Sequence, residues 1–493
     1  MAESPPEAGH VFVVHGRIEQ LTHDAAIVPV DKSLVFEEYW KPLLGSSWPS
    51  APATWSAGWG RVGDTSNWLI EVGDGDYERV LDRLALVVAD AAANCWTGRR
   101  ELPLIALPVL GVGGGGHDHE RGKVIKKLLE ALTQLAREHQ VDIGLVTPDR
   151  SVYGAAQYVR RREVGGNMRP ELERLVVHAR EGQLALFLGA GVSIPAGLPS
   201  WNGLIAGLAR ETEDLNDEWL KHLGPTDQAE LIQTYDKKGF AKRVRTSVKA
   251  SGTRPSLVHA LLAGFDVGEV VTTNYDVLYE RAVRATGGRI SRVLPWSLDV
   301  ADGPWVLKLH GDVRHPKSIV LTRRHMVMFD AANRPSASLL QSLFLTKHVL
   351  FVGVSFTDDN LIRLVHEVEE YRERNRRKKS PDAPPFATVI DASEEADAGR
   401  AGLWRGRLDW LDSRRTMGVN SFRAQDILLD QVGMYASSDS SWLLDPRFAG
   451  MLDARDQQLA ELARQLREQL PAGSETWSPL TEVLEQLGAR RKS

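Results

Sequence analysis

Short apolar runs that are continuous rather than alternating constrain the fold of this chain more than any other feature. In the middle of the chain they are LALFL (residues 184–188), VGEVVTTNY (267–275), HVLFVGVS (348–355) and FATVID (386–391), and helical patterns separate them. Continuous runs are typical of strands covered on both faces, and their alternation with helices indicates a parallel sheet. We therefore predict an α/β domain with a doubly wound parallel sheet over residues 170–405.

The residues before this domain show a similar pattern on a smaller scale. Apolar runs occupy residues 11–16, 25–30, 68–72, 104–110 and 143–146. Between the last two runs, residues 124–136 place apolar side chains at helical spacing along one face. Strands and helices that alternate in this way predict a smaller α/β domain over residues 1–165.

The end of the chain, residues 406–493, is predicted to be a mainly helical region. Leu459, Leu462, Leu466 and Leu470 mark one face of a helix. Such a stripe is most often part of a core, and a subunit interface is the alternative.

Composition and charge exclude several classes of protein. A length of 493 residues suits two or three domains, and a net charge of −5 gives no electrostatic reason for nucleic-acid binding. The basic, then proline-rich run at residues 372–385 is interpreted as a solvated helix end and loop, with a nucleic-acid patch as the alternative. Cys95 is the only cysteine, which excludes an intramolecular disulfide and a multi-cysteine zinc site within one chain. No secretory signal or membrane-spanning stretch is visible, so we expect a cytoplasmic protein without a membrane partner.

The first apolar run of the larger domain ends in Gly189-Ala190-Gly191, where almost no side chain remains. A glycine turn between a strand and a helix suits a phosphate, because the backbone can come close and the helix N-terminus binds anions. We expect these residues to leave space for a dinucleotide pyrophosphate. A turn that is merely tight is the alternative.

Polar residues follow the ends of neighbouring predicted strands. Thr273, Asn274 and Asp276 follow one run, His310 follows another, and Ser355 closes the next. Because the carboxyl ends of parallel strands meet at one edge of a sheet, we expect these side chains to share a crevice. A structural histidine and an Asx-type turn are the alternative interpretations of His310 and Asn274.

Four motifs of this domain, GAGVS…GLP, TTNYD, KLHGD and FVGVS, resemble in their order those of the sirtuins, the Sir2 family, and most of all its bacterial defence-associated branch. The resemblance spans roughly residues 175–395 and implies a Rossmann-like fold that takes NAD as its substrate. It implies that His310 is catalytic, that Asn274 lies beside the nicotinamide ribose and that Asp276 supports Asn274. Together with the glycine turn it assigns dinucleotide binding to Gly189, Ala190, Gly191, Ser193, Trp201, Thr273, Gly353 and Ser355.

Two departures from the sirtuin pattern bear on the reaction. Sirtuin deacylases carry Asp-Phe-Arg where this chain has SWN (200–202), and they carry a four-cysteine zinc module that is missing between KLHGD and FVGVS. We therefore expect no metal and interpret the chain as an NAD+ hydrolase that releases nicotinamide and ADP-ribose. The resemblance implies anti-phage defence by NAD depletion, a form of abortive infection. The alternatives are a deacylase or ADP-ribosyltransferase, and a regulator that binds NAD or ADP-ribose without catalysis.

Segments of the first domain resemble a macro domain: GRIEQLTHDAAIVPVD (16–31), PLIALPVLGVGGGG (103–116) and VDIGLVTPDRSVYGA (141–155). The resemblance implies a site for an ADP-ribose-type nucleotide, with residues 113–116 around the diphosphate; a flexible turn is the alternative. Arg17 and PVDK (29–32) depart from the family's pattern, which favours a nucleotide sensor or scaffold over an ADP-ribosyl hydrolase. We further expect a homo-oligomer, with a phage or defence-system protein as a candidate partner.

Overall fold

The chain folds into two compact units, and its two ends share one of them. The structure, a computed structural model, describes residues 8–73, 75–95, 100–113, 115–165, 168–251, 254–297, 299, 302–375, 384–393, 398–419, 422–471 and 473–489. The first unit comprises Met1–Met168 and Gly433–Ser493, and the second comprises Arg169–Val432. The sequence pattern had suggested a separate region at residues 406–493, whereas the segment from Gly433 onward joins the first unit.

The first unit is built on a six-stranded sheet in the order β1-β6-β5-β2-β4-β3. Its strands are β1 (Val11–His15), β2 (Ala25–Val30), β3 (Trp59–Arg61), β4 (Asn67–Glu71), β5 (Leu104–Leu107) and β6 (Asp142–Thr147). The strand neighbours are parallel except β3 with β4. Every residue of β5 and β6 is buried, which explains why their apolar runs are continuous.

Helices connect these strands and cover the sheet. They are α1 (Lys41–Leu44), α2 (Tyr77–Asn94), α3 (Arg121–His139) and α4 (Arg150–Glu163), with 3-10 turns at Ile18–Gln20, Glu38–Trp40, Trp55–Ala57 and Asp118–Glu120. The apolar face predicted at residues 124–136 is buried along α3, so the helical periodicity is confirmed. Asp76 and Asp149 begin α2 and α4, because their carboxylates accept N–H groups of the first turn.

The second unit holds a seven-stranded sheet in the order β13-β12-β11-β7-β8-β10-β9. Its strands are β7 (Leu184–Leu188), β8 (Glu269–Thr272), β9 (Arg292–Leu294), β10 (Trp305–Lys308), β11 (His348–Val352), β12 (Ala387–Asp391) and β13 (Asp409–Asp412). All neighbouring pairs are parallel. The predicted α/β fold with a parallel, Rossmann-like sheet is therefore confirmed.

Helices of the second unit lie on the sheet and over its carboxyl edge. They are α5 (Pro170–Arg180), α6 (Trp201–Arg210), α7 (Asp217–Leu220), α8 (Pro225–Tyr235), α9 (Phe240–Ser251), α10 (Leu257–Ala263), α11 (Leu278–Ala285), α12 (Arg323–Val327), α13 (Phe329–Thr346), α14 (Asp359–Arg374), α15 (Ala398–Leu403) and α16 (Ser413–Met417), with 3-10 turns at Ala190–Val192, Ile194–Ala196 and Pro316–Ser318. Apolar residues of α6, α8 and α9 share a cluster with Tyr275, Val313 and Leu321, which follow β8 and β10. The three helices therefore cap the carboxyl edge.

The strand order reverses beside β7. From β7 the chain passes to β8, β9 and β10 on one side and returns to β11, β12 and β13 on the other side. At such a point in an open α/β sheet, the two connections run in opposite directions, and a crevice opens between them at the carboxyl edge. Ligands bind in this crevice. The fold thus places a ligand crevice between the ends of β7 and its neighbours.

The end of the chain completes the core of the first unit. After α17 (Arg423–Ala436) come a 3-10 turn at Pro446–Met451, α18 (Ala454–Gln469) and α19 (Ser478–Gln486). Trp442 and Phe448 are buried in the same apolar core as α3. A Cβ on Gly122 of α3 would lie 2.7 Å from the Phe448 carbonyl oxygen, so the glycine lets the 3-10 turn lie directly on the helix.

The leucine stripe of α18 is not part of a core. Leu459, Leu462 and Leu466 are 55%, 61% and 43% exposed, and only Leu470, at the helix end, is buried. The prediction of a core stripe is therefore wrong for the first three leucines, because this face of α18 points to solvent. Across the described part of the chain, none of the helices has both the length and the apolar character that crossing a membrane requires.

Candidate functional site

The residues that the sequence singled out in the second unit gather at the carboxyl edge of its sheet. Strands β11, β7, β8 and β10 lie side by side and run in the same direction. The segments that follow them start at Gly353, Gly189, Thr273 and Leu309. The crevice at the reversal of strand order is therefore lined by these four segments.

The glycines of the first segment are pressed against the backbone of the β11 segment. The N–H groups of Gly189 and Gly191 donate to the carbonyl oxygens of Val352 (3.0 Å) and Gly353 (2.9 Å). A Cβ on Gly189 would lie 2.4 Å from the Gly353 carbonyl oxygen, and one on Gly191 would lie 2.6 Å from the Gly353 Cα. Gly353 has φ +67°, and its Cβ would lie 2.5 Å from the Val192 nitrogen. The space that a Cβ would need at these glycines is filled by the backbone of another loop, so close packing between the two loops requires glycine here. The pyrophosphate contact stays a prediction.

The helix that the sequence placed directly after the glycines begins later. Two 3-10 turns follow Gly189, and α6 starts only at Trp201, where Ser200 accepts the Gly203 N–H at 3.1 Å. Ala190 is exposed, and among the described residues no acceptor pairs with its backbone N–H. That N–H, rather than the end of a long helix, is the group available to an anion here.

Asn274 is held in one orientation by two hydrogen bonds. Its Nδ2 donates to the Gly189 carbonyl oxygen at 2.9 Å and to Ser193 Oγ at 3.1 Å. A carbonyl oxygen can only accept, so the nitrogen must face Gly189. Both amide hydrogens are then used, and among the described residues Oδ1 has no partner. Asn274 therefore presents a fixed hydrogen-bond acceptor to the crevice.

Ser193 lies behind Asn274, and its hydroxyl is used within the protein. Ser193 is only 3% exposed. Its Oγ donates to Asp276 Oδ2 at 2.8 Å, accepts from Asn274 and lies 3.4 Å from His259 Nε2. A hydroxyl has one hydrogen and two lone pairs, so no capacity remains for a ligand. Ser193 orients Asn274 and Asp276. The dinucleotide contact that the sequence resemblance assigns to Ser193 stays a prediction.

His259 is a residue that sequence reasoning missed. It lies in the first turn of α10, with Nδ1 2.8 Å from Ser256 Oγ. Burial lowers the pKa of His259 to about 4, although the charge of Asp276 opposes this, so the ring is neutral at pH 7. The available signal was the Ser256-x-x-His259 spacing of a capping box, which points to a helix start rather than to a site.

His310 pairs with a second residue that the sequence analysis missed, Asp358. His310 is 4% exposed, and its Nε2 lies 3.1 Å from Asp358 Oδ2. Asp358 begins α14, where its other carboxylate oxygen accepts the Asn360 N–H at 3.0 Å. The acidic TDDN run just after FVGVS was the available signal. The structure thus places a carboxylate on the predicted catalytic imidazole.

A group of four charges, of which only Arg314 is exposed, joins the segments after β8 and β10. Lys308 donates to the carbonyl oxygen of Asp276, and its Nζ lies 3.3 Å from Glu280 and 3.5 Å from Asp312. Arg314 pairs with the same two carboxylates at 3.1 and 2.6 Å. Burial alone would raise the pKa of Asp312, but the hydrogen bond from Arg314 and the charge of Lys308 hold it below its ordinary value. The cluster fixes the segment that carries Asp276 against the segment that carries His310.

Three other predicted site residues lie at this edge outside the Asn274 cluster. The Thr273 N–H donates to the Leu188 carbonyl oxygen at 3.2 Å. Trp201 opens α6, and its ring lies 6.4 Å from that of Tyr275. Ser355 is exposed, with Oγ 2.7 Å from Thr357 Oγ1. These residues border the crevice, and the described structure shows no hydrogen bond from them to Asn274, Asp276 or His310.

The glycine loop predicted in the first unit is only partly described, because Gly114 lies outside the described residues. A Cβ on Gly115 would lie 2.7 Å from the Gly111 Cα, whereas one on Gly113 or Gly116 would meet no atom within 4 Å. Beside the loop, Tyr77 Oη and His117 Nε2 are buried without a hydrogen-bond partner among the described residues. The loop therefore has open positions at Gly113 and Gly116, and two enclosed polar atoms without a described partner lie beside it.

The arrangement in the second unit suits proton transfer and water positioning. Asn274 offers an acceptor, the His310–Asp358 pair offers a base, and Ala190 offers an N–H for an anion. Groups of this kind hold a nucleophile and take its proton. The described residues contain no group of three or more His, Cys, Asp or Glu side chains that could hold a metal ion.

Comparison with protein families identifies part of the second unit. Residues 268–405 match the family model of the SIR2-like domain. The resemblance to the Sir2 family is therefore confirmed for this part of the chain, whereas the macro resemblance of the first unit stays a prediction.

Curated relatives match about two fifths of the chain. NAD(+) hydrolase ThsA of Bacillus cereus (strain MSX-D12) is 31% identical over 209 residues, which cover 40% of this chain and 42% of the relative. NAD(+) hydrolase ThsA of Acinetobacter baumannii (strain 532279) is 28% identical over 221 residues, 42% of this chain and 43% of the relative. Defense-associated sirtuin 2 of Bacillus subtilis is 25% identical over 235 residues, 45% of this chain and 22% of the relative. The chain thus spans less than half the length of the curated relatives it matches.

The contact between the two glycine-bearing loops predicts that a side chain at Gly191 lowers the stability of the second unit. Gly191→Val places a side chain where the Gly353 backbone lies, so it should destabilise the second unit by about 2 kcal/mol or more and lower its melting temperature by about 5 °C or more. Gly207→Ala in α6 is the matched control, since its Cβ would meet no atom within 4 Å and alanine favours helix. Circular dichroism melts of both variants measure the effect. If Gly191→Val melts with the wild type, the contact does not constrain this loop.

Proposed function

We propose that this chain hydrolyses NAD+, breaking the bond between nicotinamide and ribose to release nicotinamide and ADP-ribose. The observation that carries the proposal is the placement of Asn274 and His310 at one carboxyl edge of a parallel sheet, each fixed by its own partners. The match of residues 268–405 to the SIR2-like domain supports it, as do the relatives named NAD(+) hydrolases.

Asn274 positions the attacking water in this proposal. Its two amide hydrogens are taken by Gly189 and Ser193, so Oδ1 accepts a hydrogen bond from the water or from a ribose hydroxyl. An acceptor that cannot rotate holds its partner in one direction, and such positioning supplies a large part of a rate enhancement. Asp276 supports this geometry through Ser193.

His310 takes the proton in the same step. As the bond from C1′ to nicotinamide breaks, its electron pair passes to the nicotinamide nitrogen and C1′ gains cationic character. The water oxygen then bonds to C1′ while its proton moves to the imidazole, and that proton later leaves to solvent. NAD+ and water thus give nicotinamide, ADP-ribose and one proton. The carboxylates of Asp276 and Asp358 supply negative potential for the developing cation.

An assay with NAD+ as the sole substrate distinguishes NAD+ hydrolysis from the alternative functions. Deacylation or ADP-ribosyl transfer requires an acceptor, and the zinc-supported cleft of sirtuin deacylases has no counterpart in a chain whose only cysteine is Cys95. Purified protein incubated with NAD+ and no acceptor should release nicotinamide and free ADP-ribose in equal amounts. Binding of NAD+ without turnover would instead support a non-catalytic regulator, and turnover only with an acceptor would support a transferase or deacylase.

Two substitutions test the assigned residues. Asn274→Ala and His310→Ala should each reduce nicotinamide release by about 10²-fold or more, because they remove the water acceptor and the base. His222→Ala and Asn375→Ala, which change the same residue types at exposed positions, serve as controls and should keep wild-type rates. Thermal melts check that the fold persists. Near wild-type turnover in either site variant would remove that residue from the mechanism.

The proposed reaction gives the chain a role in anti-phage defence. Depletion of cytoplasmic NAD+ stops the growth of an infected cell, so we place the protein in the cytoplasm. The relative named Defense-associated sirtuin 2 supports this role. A phage or defence-system protein is the proposed trigger.

In this proposal the first unit regulates NAD+ hydrolysis. The open positions at Gly113 and Gly116, with Tyr77 and His117 beside them, support a site for an ADP-ribose-type nucleotide. The exposed leucine stripe of α18 supports a homo-oligomer. A nucleotide can act only if it binds the active and inactive states with different affinity.

The full chain is the right sample for a test of regulation, because both of its ends contribute to the first unit. Light scattering of the full-length protein should give a mass above that of a monomer, and Leu459→Glu with Leu462→Glu should lower it. NAD+ turnover should change when ADP-ribose is added. A monomeric wild type whose turnover ignores ADP-ribose would contradict both parts.

A further inference from the structure

We infer that Asp358 is a positioning residue that sets the tautomer of His310, so that Nδ1 is the nitrogen that takes the proton. The inference deepens the proposed NAD+ cleavage and rests on it for its catalytic meaning. The pairing that it invokes is a property of the protein alone, and it can be measured without NAD+.

Both carboxylate oxygens of Asp358 have assigned partners. Oδ1 accepts the Asn360 N–H at 3.0 Å, which begins α14, and Oδ2 lies 3.1 Å from His310 Nε2. The Asp358 side chain is 23% exposed. Burial alone would raise the pKa of Asp358, but the hydrogen bond from His310 and the N–H groups at the start of α14 hold it below its ordinary value. An ionised carboxylate can only accept, so the proton between the two residues belongs to Nε2.

His310 has little freedom to leave this arrangement. Its backbone carbonyl accepts the Val320 N–H at 2.8 Å, and its ring packs edge-on against Phe329 with centroids 5.9 Å apart. With Nε2 committed to Asp358, Nδ1 is the remaining ring nitrogen, and none of the described residues pairs with it.

The segment before Asp358 is fixed at both ends. Gly353 packs against Gly191 and Val192 at one end. Phe356, a non-glycine residue with φ 52°, is buried beside Phe351, with ring centroids 4.9 Å apart, and also packs against Trp404 and Trp410. A bulky residue in this backbone region is strained, and the surrounding rings hold it there. The packing of this segment therefore fixes the position at which Asp358 contacts His310.

The transfer of the water proton to His310 conserves atoms and charge. A water O–H proton moves to Nδ1, the water oxygen bonds to C1′, and the electron pair of the C1′–nitrogen bond leaves with nicotinamide. The imidazolium then carries hydrogens on both nitrogens, and Asp358 stabilises its charge through Nε2 as a carboxylate does in other histidine pairs. Proton release from Nδ1 to solvent restores the starting tautomer.

The substitution Asp358→Asn tests the inference without removing the helix start, because asparagine also begins helices well. If its Oδ1 keeps the Asn360 N–H, its Nδ2 faces His310 and donates to Nε2. The ring proton must then move to Nδ1, which can no longer accept one. We expect kcat for NAD+ to fall by about 10²- to 10⁴-fold while KM changes less than about threefold.

A matched control comes from the same unit. Asp412 begins α16 by accepting the Arg415 N–H at 3.0 Å and lies outside the proposed machinery. Asp412→Asn should keep the wild-type kcat and KM. An Asp358→Asn variant with wild-type kcat overturns the inference.

The second readout does not depend on NAD+ turnover. In protein with ¹⁵N-labelled histidine, with the His310 signals assigned by their loss in His310→Gln, we expect hydrogen on Nε2 in the wild type and on Nδ1 in Asp358→Asn. The same tautomer in both proteins overturns the inference. If the tautomer switches but the protein does not cleave NAD+, the His310–Asp358 pairing is supported and the proposed function is contradicted. Failure of the inference is therefore distinguishable from failure of the proposed function.

Discussion

The contact between two glycine-bearing loops is the constraint on which the rest of the site depends. Gly189 and Gly191 donate to the carbonyl oxygens of Val352 and Gly353 at a distance that admits no Cβ on either side. On one side of this contact, the Gly189 carbonyl oxygen orients Asn274. On the other side, the chain from Gly353 runs directly to Asp358. Both the water acceptor and the partner of the base thus take their positions from one backbone contact.

Behind the crevice, buried polar groups are paired, and their pairing limits how the site can move. Ser193 uses its hydroxyl on Asp276, Asn274 and His259, and Lys308 directs its ammonium at two carboxylates and a carbonyl oxygen. A buried polar group is costly unless it is paired, so turning one of these side chains would leave others unsatisfied. The network therefore favours a rigid site in which only the atoms facing the crevice remain available.

The sequence predicted the parallel sheet and the strand-end residues because both follow from local patterns. Continuous apolar runs mark strands, and Asn274 and His310 follow them directly. His259 and Asp358 were missed because each lies at the start of a helix, and Ser193 and His310, which they contact, lie far along the chain. The packing of Gly191 against Gly353 was missed because a sequence does not show which backbone approaches a glycine. Two further features likewise depend on tertiary packing, which no local pattern encodes. They are the packing of the end of the chain into the first unit and the solvent exposure of Leu462.

A crystal structure of the His310→Ala variant with NAD+ tests the central claim most directly. We predict that the nicotinamide ribose lies at the carboxyl edge between β7 and β8, with a water or ribose hydroxyl on Asn274 Oδ1 and C1′ facing the place of the missing imidazole. The pyrophosphate should approach the Ala190 N–H. A dinucleotide bound elsewhere, or one whose C1′ faces away from Asn274 and from Asp358, would contradict the account.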